Sequence, residues 1–384
     1  MFGMTMRIRY LIALTALVTC VAVSPSSAQT HAQTHAQSLG KNSPFSFIAF
    51  ADTQYHVSPE FLSNRTQVEH EIRTANVAFL IHLGDLKSSA PPCDNAADQK
   101  ALKFLKSLNK PIVYTPGDNE WADCLYAGVG LEFPETRLNQ IRLKFFKQKN
   151  FPTIAGRISQ ASVSKEFSEF VENVTWSHNG IRFVTVNVPG NNNNAPRMGF
   201  TWDYVDTNTQ AFFKFLFSNT YFEKYFVISR YLEPTSQLGR GNWSEFNRRT
   251  MANSQWLKFA SELAVKNNDS ALVVLSHAGP NLGIPLRIQN GYEPLLKDLK
   301  AVARKFRKPV LWLHASEHRF MMDTIFTNRQ LLKKELGPEH NLVRIIVPGP
   351  PLESYIKIDV NPGAPWPFTI LPKRLSEKEF SAPN

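Results

Sequence analysis

Short, nearly continuous apolar runs recur along this chain, and each ends in polar residues capable of chemistry. Phe45 to Ala51 runs into Asp52, Val77 to Leu83 into Gly84-Asp85, and Pro111 to Thr115 into Pro116-Gly117-Asp118-Asn119-Glu120. Farther on, Ala271 to Ser276 ends at His277, and Pro309 to Leu313 ends at His314, with His318 close behind. Runs of this length, without polar alternation, predict strands buried on both faces. Between them Ala101, Leu102, Leu105 and Leu108 recur at helical spacing, as do Leu295, Leu296, Leu299, Val302 and Phe306. Alternating strands and helices predict a layered α/β architecture, in which ligands gather beyond the carboxyl ends of the strands. Further strands are expected at Asn341 to Val347 and Tyr355 to Val360, with a polar tail over 373–384.

The same reading divides the chain. Arg7 and Arg9 precede an apolar run from Tyr10 to Val23 and the small residues Ser26-Ser27-Ala28, which predicts a cleavable signal peptide over 1–28. The run is shorter than the roughly 20 residues of a spanning helix. A tandem Gln-Thr-His-Ala repeat follows, so 29–43 reads as a flexible linker. No Pro/Gly/Ser-rich break divides 44–372, which is expected to form one domain with an aromatic-rich insertion at about 191–249. That insertion could cap a site or simply pack as core.

Charge and cysteines narrow the setting. Losing Arg7 and Arg9 with the leader lowers the formal net charge from +11 to +9, which favours anionic partners such as a phosphorylated small molecule. The basic residues are scattered, and no nucleic-acid motif accompanies them. Cys93 and Cys124 remain in the mature part, an even pair that predicts one disulfide in a periplasmic or secreted protein. Serine-hydrolase elbows, phosphate-binding Gly-rich loops and Cys-rich zinc motifs do not occur. Oligomeric state has no signature here.

Singly, an Asp or His after a strand is ordinarily a turn former or a structural residue. Together Asp52, Asp85, Asp118 and Glu120, with His277 and His318, form a set whose like charges would repel without a cation. Their order resembles the calcineurin-like metallophosphoesterases. That family reads Asp-x-His, Gly-Asp, Gly-Asn-His-Asp/Glu, a lone His, then Gly-His-x-His. The corresponding stretches are Asp52-Thr53-Gln54, Gly84-Asp85, Gly117-Asp118-Asn119-Glu120, His277 and Ala315-Ser316-Glu317-His318. The resemblance implies an α/β/β/α sandwich with mixed central sheets, and hydrolysis of a phosphate ester with the help of metal-activated water.

It also implies site residues. Asp52, Gln54, Asp85, Asp118, His277 and His318 correspond to metal ligands, with Glu120, His314 and Ser316 as supporting residues around them. Gln54 replaces a His, Asp118 an Asn, Asn119 the His that assists the leaving group, and Ser316 a His. Asn119 and His56 are the candidate catalytic residues, His56 as a substitute for the missing acid. The exchange of nitrogen for oxygen donors favours Mn, Mg, Ca or Fe over Zn, as one or two divalent ions. Two rival functions remain: a protein of the same fold that binds an anionic ligand without turnover, and an interaction protein that docks through the aromatic insertion.

Overall fold

The computed structural model describes residues 42–53, 59–89, 91–124, 134–148, 151–196, 243–281, 289–324, 340–350 and 354–373. Its strands are β1 Phe45–Phe50, β2 Phe79–His82, β3 Ile112–Tyr114, β4 Ile158–Ser159, β5 Val174–His178, β6 Ile181–Thr185, β7 Ala271–Leu275, β8 Val310–His314, β9 Met321–Asp323, β10 Leu342–Ile346, β11 Tyr355–Val360 and β12 Phe368–Lys373. The longer helices are α1 Pro59–Thr74, α2 Asn95–Ser107, α3 Pro134–Ile141, α4 Trp243–Lys266 and α5 Glu293–Phe306.

Two sheets result. The first has the order β12-β11-β1-β2-β3, and the second β4-β5-β6-β7-β8-β10-β9. β1, β2 and β3 run parallel, as do β6, β7, β8 and β10, while the outer strands pair antiparallel. Both sheets are therefore mixed, as the sequence led us to expect.

The pleat explains the apolar runs. Phe47 and Ala49 of β1 face the second sheet, in a core that also holds Phe79, Ile81, Phe183, Val273, Leu275, Leu313 and Ile345. The alternate residues Ile48 and Phe50 turn outward against Val68 and Ile72 of α1 and Leu102 and Leu105 of α2. The second sheet repeats this arrangement, with Leu272, Val274 and Trp312 packed against Trp256 of α4 and Leu296 and Leu299 of α5. The layers run helix, sheet, sheet, helix. Each fully buried Leu or Phe contributes about 1.5–3 kcal/mol, so both strand faces must be apolar.

Local signals set the helix ends. Asp94 caps α2, its carboxylate accepting the Ala97 N–H at 2.8 Å. Pro294 lies in the first turn of α5, and Arg307 ends that helix in a left-handed conformation. Asn179-Gly180, both at positive φ, closes the β5–β6 hairpin. Trp243 to Arg249, assigned from sequence to the insertion, begin α4. Residues 197–242 of the insertion lie outside the described residues, as do the leader and residues 29–41 of the linker.

Candidate metal centre

The parallel strands of both sheets end on one side of the sandwich. Asp52 follows β1 by two residues, Asp85 follows β2 by three, and Asp118 follows β3 by four. His277 follows β7 by two residues, and His318 follows β8 by four. The two sheets meet here, because His277 donates its Nδ1 proton to the Leu83 carbonyl at 2.6 Å.

The backbone is bent to present these side chains. Asp52, Asp85, Ser316 and His318 have φ of 52°, 59°, 71° and 52°. Left-handed φ at such residues costs about 1–2 kcal/mol each, and strain of this kind gathers at functional sites. Cross-strand bonds hold the bends in place: the Asp52 N–H donates to Gly84 O at 3.0 Å, and the Thr53 N–H to Asp85 O at 2.8 Å. His82 ties the same loops together. Its Nδ1 accepts the Gly84 N–H at 3.2 Å, so Nε2 carries the ring proton and gives it to Thr53 Oγ1 at 3.1 Å. Burial lowers its pKa from 6.5 to about 3, helped by the charge of His277.

The His277 Nδ1 bond leaves Nε2 facing the acids. Nε2 makes no hydrogen bond and stands 3.5 Å from Asp85 Oδ1 and 3.4 Å from Asp118 Oδ1. His318 Nε2 is 3.2 Å from Asp52 Oδ1, and the Ser316 N–H donates to Asp52 Oδ2 at 3.4 Å. Asp52, Asp85 and His277 each offer a ligand atom within 4.8 Å of the others.

Electrostatics at the centre are those of crowded, buried acids. Burial raises the Asp85 pKa well above the usual carboxylate range, against the opposing pull of His277 and with a further push from Asp118, Glu120 and Asp52. Burial would lower His277, but Asp85, Asp118 and Asp52 outweigh it and raise the imidazole pKa well above 6.5. Burial also pushes Asp118 up, yet the His277 ring facing it brings it below its ordinary value. A divalent cation fits this donor set, since the buried carboxylates supply charge and His277 Nε2 points among them.

The remaining residues named from sequence fall around this group. Asn119 is bound to Asp85 twice, through its N–H to Oδ1 at 3.1 Å and its side-chain amide to Oδ2 at 2.6 Å. Glu120 accepts the N–H groups of Gly117 at 2.9 Å, Asp85 at 3.2 Å and Leu86, fixing the loop after β3 to the loop after β2. His314 places its Nε2 beside Gly279, and burial holds its pKa well below 6.5. Ser316 meets Asp52 through its backbone. Gln54 and His56 lie outside the described residues. Cys93 and Cys124 are disulfide-bonded, with Cys124 Sγ 3.2 Å from the Glu120 carbonyl oxygen.

Sequence reasoning missed Gly190 and Gly349, and took Gly117 only as part of a motif. Pro116-Gly117, Pro189-Gly190 and Pro348-Gly349 follow β3, β6 and β10. A Cβ on Gly117 would fall 2.1 Å from Asp85 Oδ1, one on Gly190 1.6 Å from Asp118 Oδ2, and one on Gly349 2.8 Å from Asp52 Cβ. Each acid thus packs against a residue without a side chain. The repeated Pro-Gly pair after a buried strand was the available signal, since glycine there marks close approach.

Fold and site together define a two-sheet α/β protein with a buried carboxylate–imidazole group at its strand ends. No family profile matches the sequence. No curated protein matches it either. Among solved structures, the chain is similar to PhoD, with 10% identity and a TM-score of 0.46, over 84% of this chain and 65% of that one. It is similar to purple acid phosphatase PPD1 from yellow lupin seeds, with 10% identity and a TM-score of 0.41, over 89% of this chain and 55% of that one. It is also similar to calcineurin-like phosphoesterase YfkN from Bacillus subtilis, with 9% identity and a TM-score of 0.39, over 88% and 93%. The chain thus spans under two thirds of the first two.

Proposed function

We propose that this chain is a metal-dependent phosphoesterase. The observation that supports this best is His277 Nε2, without a hydrogen bond and 3.4–3.5 Å from oxygens of Asp85 and Asp118. In this reading Asp52, Asp85, Asp118, His277 and His318 hold one or two divalent ions, with Gln54 added as an oxygen donor. Predominantly oxygen donors favour Mn, Mg, Ca or Fe over Zn. When bound, such an ion supplies charge against phosphoryl oxygens and the acidity that makes water a nucleophile at neutral pH. The protein's own part is to orient the ligands. Asn119 fixes the Asp85 carboxylate, Glu120 locks the two ligand loops together, and the His277 Nδ1 bond commits Nε2 to the centre.

The substrate is a phosphorylated small molecule or another anionic ester. Export follows from the leader-like segment over 1–28 and is supported by the Cys93–Cys124 disulfide. No described helix is long and apolar enough to cross a membrane. Asn119 favours a second reading, a ligand-binding protein without turnover. Its amide has no proton to give at neutral pH and is engaged by Asp85. Turnover of aryl phosphate mono- and diesters with added Mn, Mg or Ca separates the two readings. Hydrolysis that disappears in Asp85→Ala supports the enzyme. Bound metal without hydrolysis supports the binding protein, and neither metal nor hydrolysis sinks the metal-dependent enzyme and brings the binding protein to the front.

A further inference from the structure

Asp118 reaches His277 from the end of β3, yet the surface it rests on comes from a different sheet. Gly190, at the end of β6, lies so close that a Cβ there would fall 1.6 Å from Asp118 Oδ2 and 2.3 Å from its Cγ. That approach is held by an unusual piece of chain. Asn192, Asn193 and Asn194 are consecutively left-handed, with φ of 53°, 55° and 51°, a conformation that non-glycine residues visit singly and at a cost.

Four side chains fix this turn. The Asn193 amide donates to Gly291 O at 3.0 Å, and Asn192 Oδ1 accepts the Gly291 N–H at 2.8 Å. Arg249, fully buried on α4, donates to both the backbone and side-chain oxygens of Asn193. The Tyr292 hydroxyl donates to Gly190 O at 3.0 Å, and the Asn193 N–H donates to the same oxygen at 2.8 Å. Gly190 is thus clamped from α4 and from the start of α5 while its bare α-carbon meets Asp118.

We infer that Gly190 is a positioning residue, the seat that turns Asp118 toward His277, and that the left-handed Asn turn, Arg249 and Tyr292 hold that seat in place. This rests on the reading of the centre as a cation site. Asp118 stands where the resembling family has an Asn, and the seat is what gives this charged replacement one orientation.

The test is Mn(II) affinity of the full chain, read from the electron paramagnetic resonance signal of unbound Mn(II). Gly190→Ala is expected to weaken Mn(II) binding at least tenfold. Tyr292→Phe, which removes only the hydroxyl, is expected to weaken it threefold or more and keeps the test readable if Gly190→Ala does not fold. Phe306→Leu, in the helix layer far from the acids, should lower the urea midpoint while changing Mn(II) affinity less than twofold. Affinity within twofold of the parent in Tyr292→Phe and in any folded Gly190→Ala protein overturns the seat alone. So would an equal loss in Phe306→Leu, because the effect would then track general stability. A parent that binds no Mn(II) overturns both the seat and the reading of the centre.

Discussion

Replacing His82 with Phe should make the protein less stable near neutral pH, and acid should shrink that difference. His82 lies among Phe50, Phe104 and Tyr114, with ring centroids 4.8, 6.5 and 6.0 Å away, so a phenyl ring suits the space. What is lost is polar. The Gly84 N–H and Thr53 Oγ1 lose their partner, and each unsatisfied buried group costs about 1–3 kcal/mol. The pH dependence follows from the lowered pKa. Between about 3 and 6.5 the unfolded chain binds a proton at His82 that the folded chain refuses. Its contribution to stability is therefore complete above 6.5 and is lost progressively as pH falls toward 3. At pH 4.5, two units below the unfolded value, the parent has lost about 3 kcal/mol that the Phe variant never had. Urea unfolding of both proteins at pH 7.5 and 4.5, without divalent ions, reads this directly. The variant should be weaker by about 2–6 kcal/mol at pH 7.5, and that deficit should be smaller by about 3 kcal/mol at pH 4.5. A deficit of the same size at both pH values would refute the neutral, buried imidazole and its role as a tie between the two ligand loops.

Three other expectations follow from named contacts. Mn(II) at a hundredfold excess over its dissociation constant should stabilise the parent by about 2.7 kcal/mol, and thermal unfolding should show none of this in Asp85→Ala. Replacing Cys93 and Cys124 together with Ala opens a loop with a sequence separation of 31, which should cost about 4 kcal/mol in urea unfolding; a loss below about 1 kcal/mol would contradict the chain-entropy account. Arg137→Met leaves the buried Asp98 with Lys144 alone and removes a 3.0 Å bond to the Glu120 carbonyl. That change should cost about 3–5 kcal/mol and lower Mn(II) affinity, whereas unchanged affinity would separate the buried ion pair from the centre.

What the sequence made legible follows from what is locally encoded. β1, β2, β7 and β8 face apolar layers on both sides, so each left an apolar run ending in an Asp or His. α2 and α5 were readable because their buried positions repeat at helical spacing. β12 escaped because it is an outer strand, mostly half-buried, with Pro372 inside it, as edge strands tolerate. The β5–β6 hairpin carried its own signal in Asn179-Gly180, a turn pair between two short apolar runs. The assembly of the centre is another matter. Asp85 and His277 are far apart in sequence and belong to different sheets, and nothing local specifies that the two strand edges converge.

The replaced positions show the same limit most clearly. Read alone, Asn119 is a lost acid and Asp118 an extra charge. In the fold they act on one another's surroundings: Asn119 binds Asp85 through both backbone and side chain, and Asp118 meets His277 from the surface of Gly190. The Asn119 amide gives Asp85 a hydrogen bond that an ionised carboxylate accepts strongly, while the missing Cβ at Gly190 makes room for Asp118. The departures therefore form a connected set. Restoring His at position 119 alone would remove an Asp85 partner while leaving Asp118 in place, so that substitution should weaken Mn(II) binding, and stronger binding would show that Asn119 is a vestige with no part in holding the carboxylate.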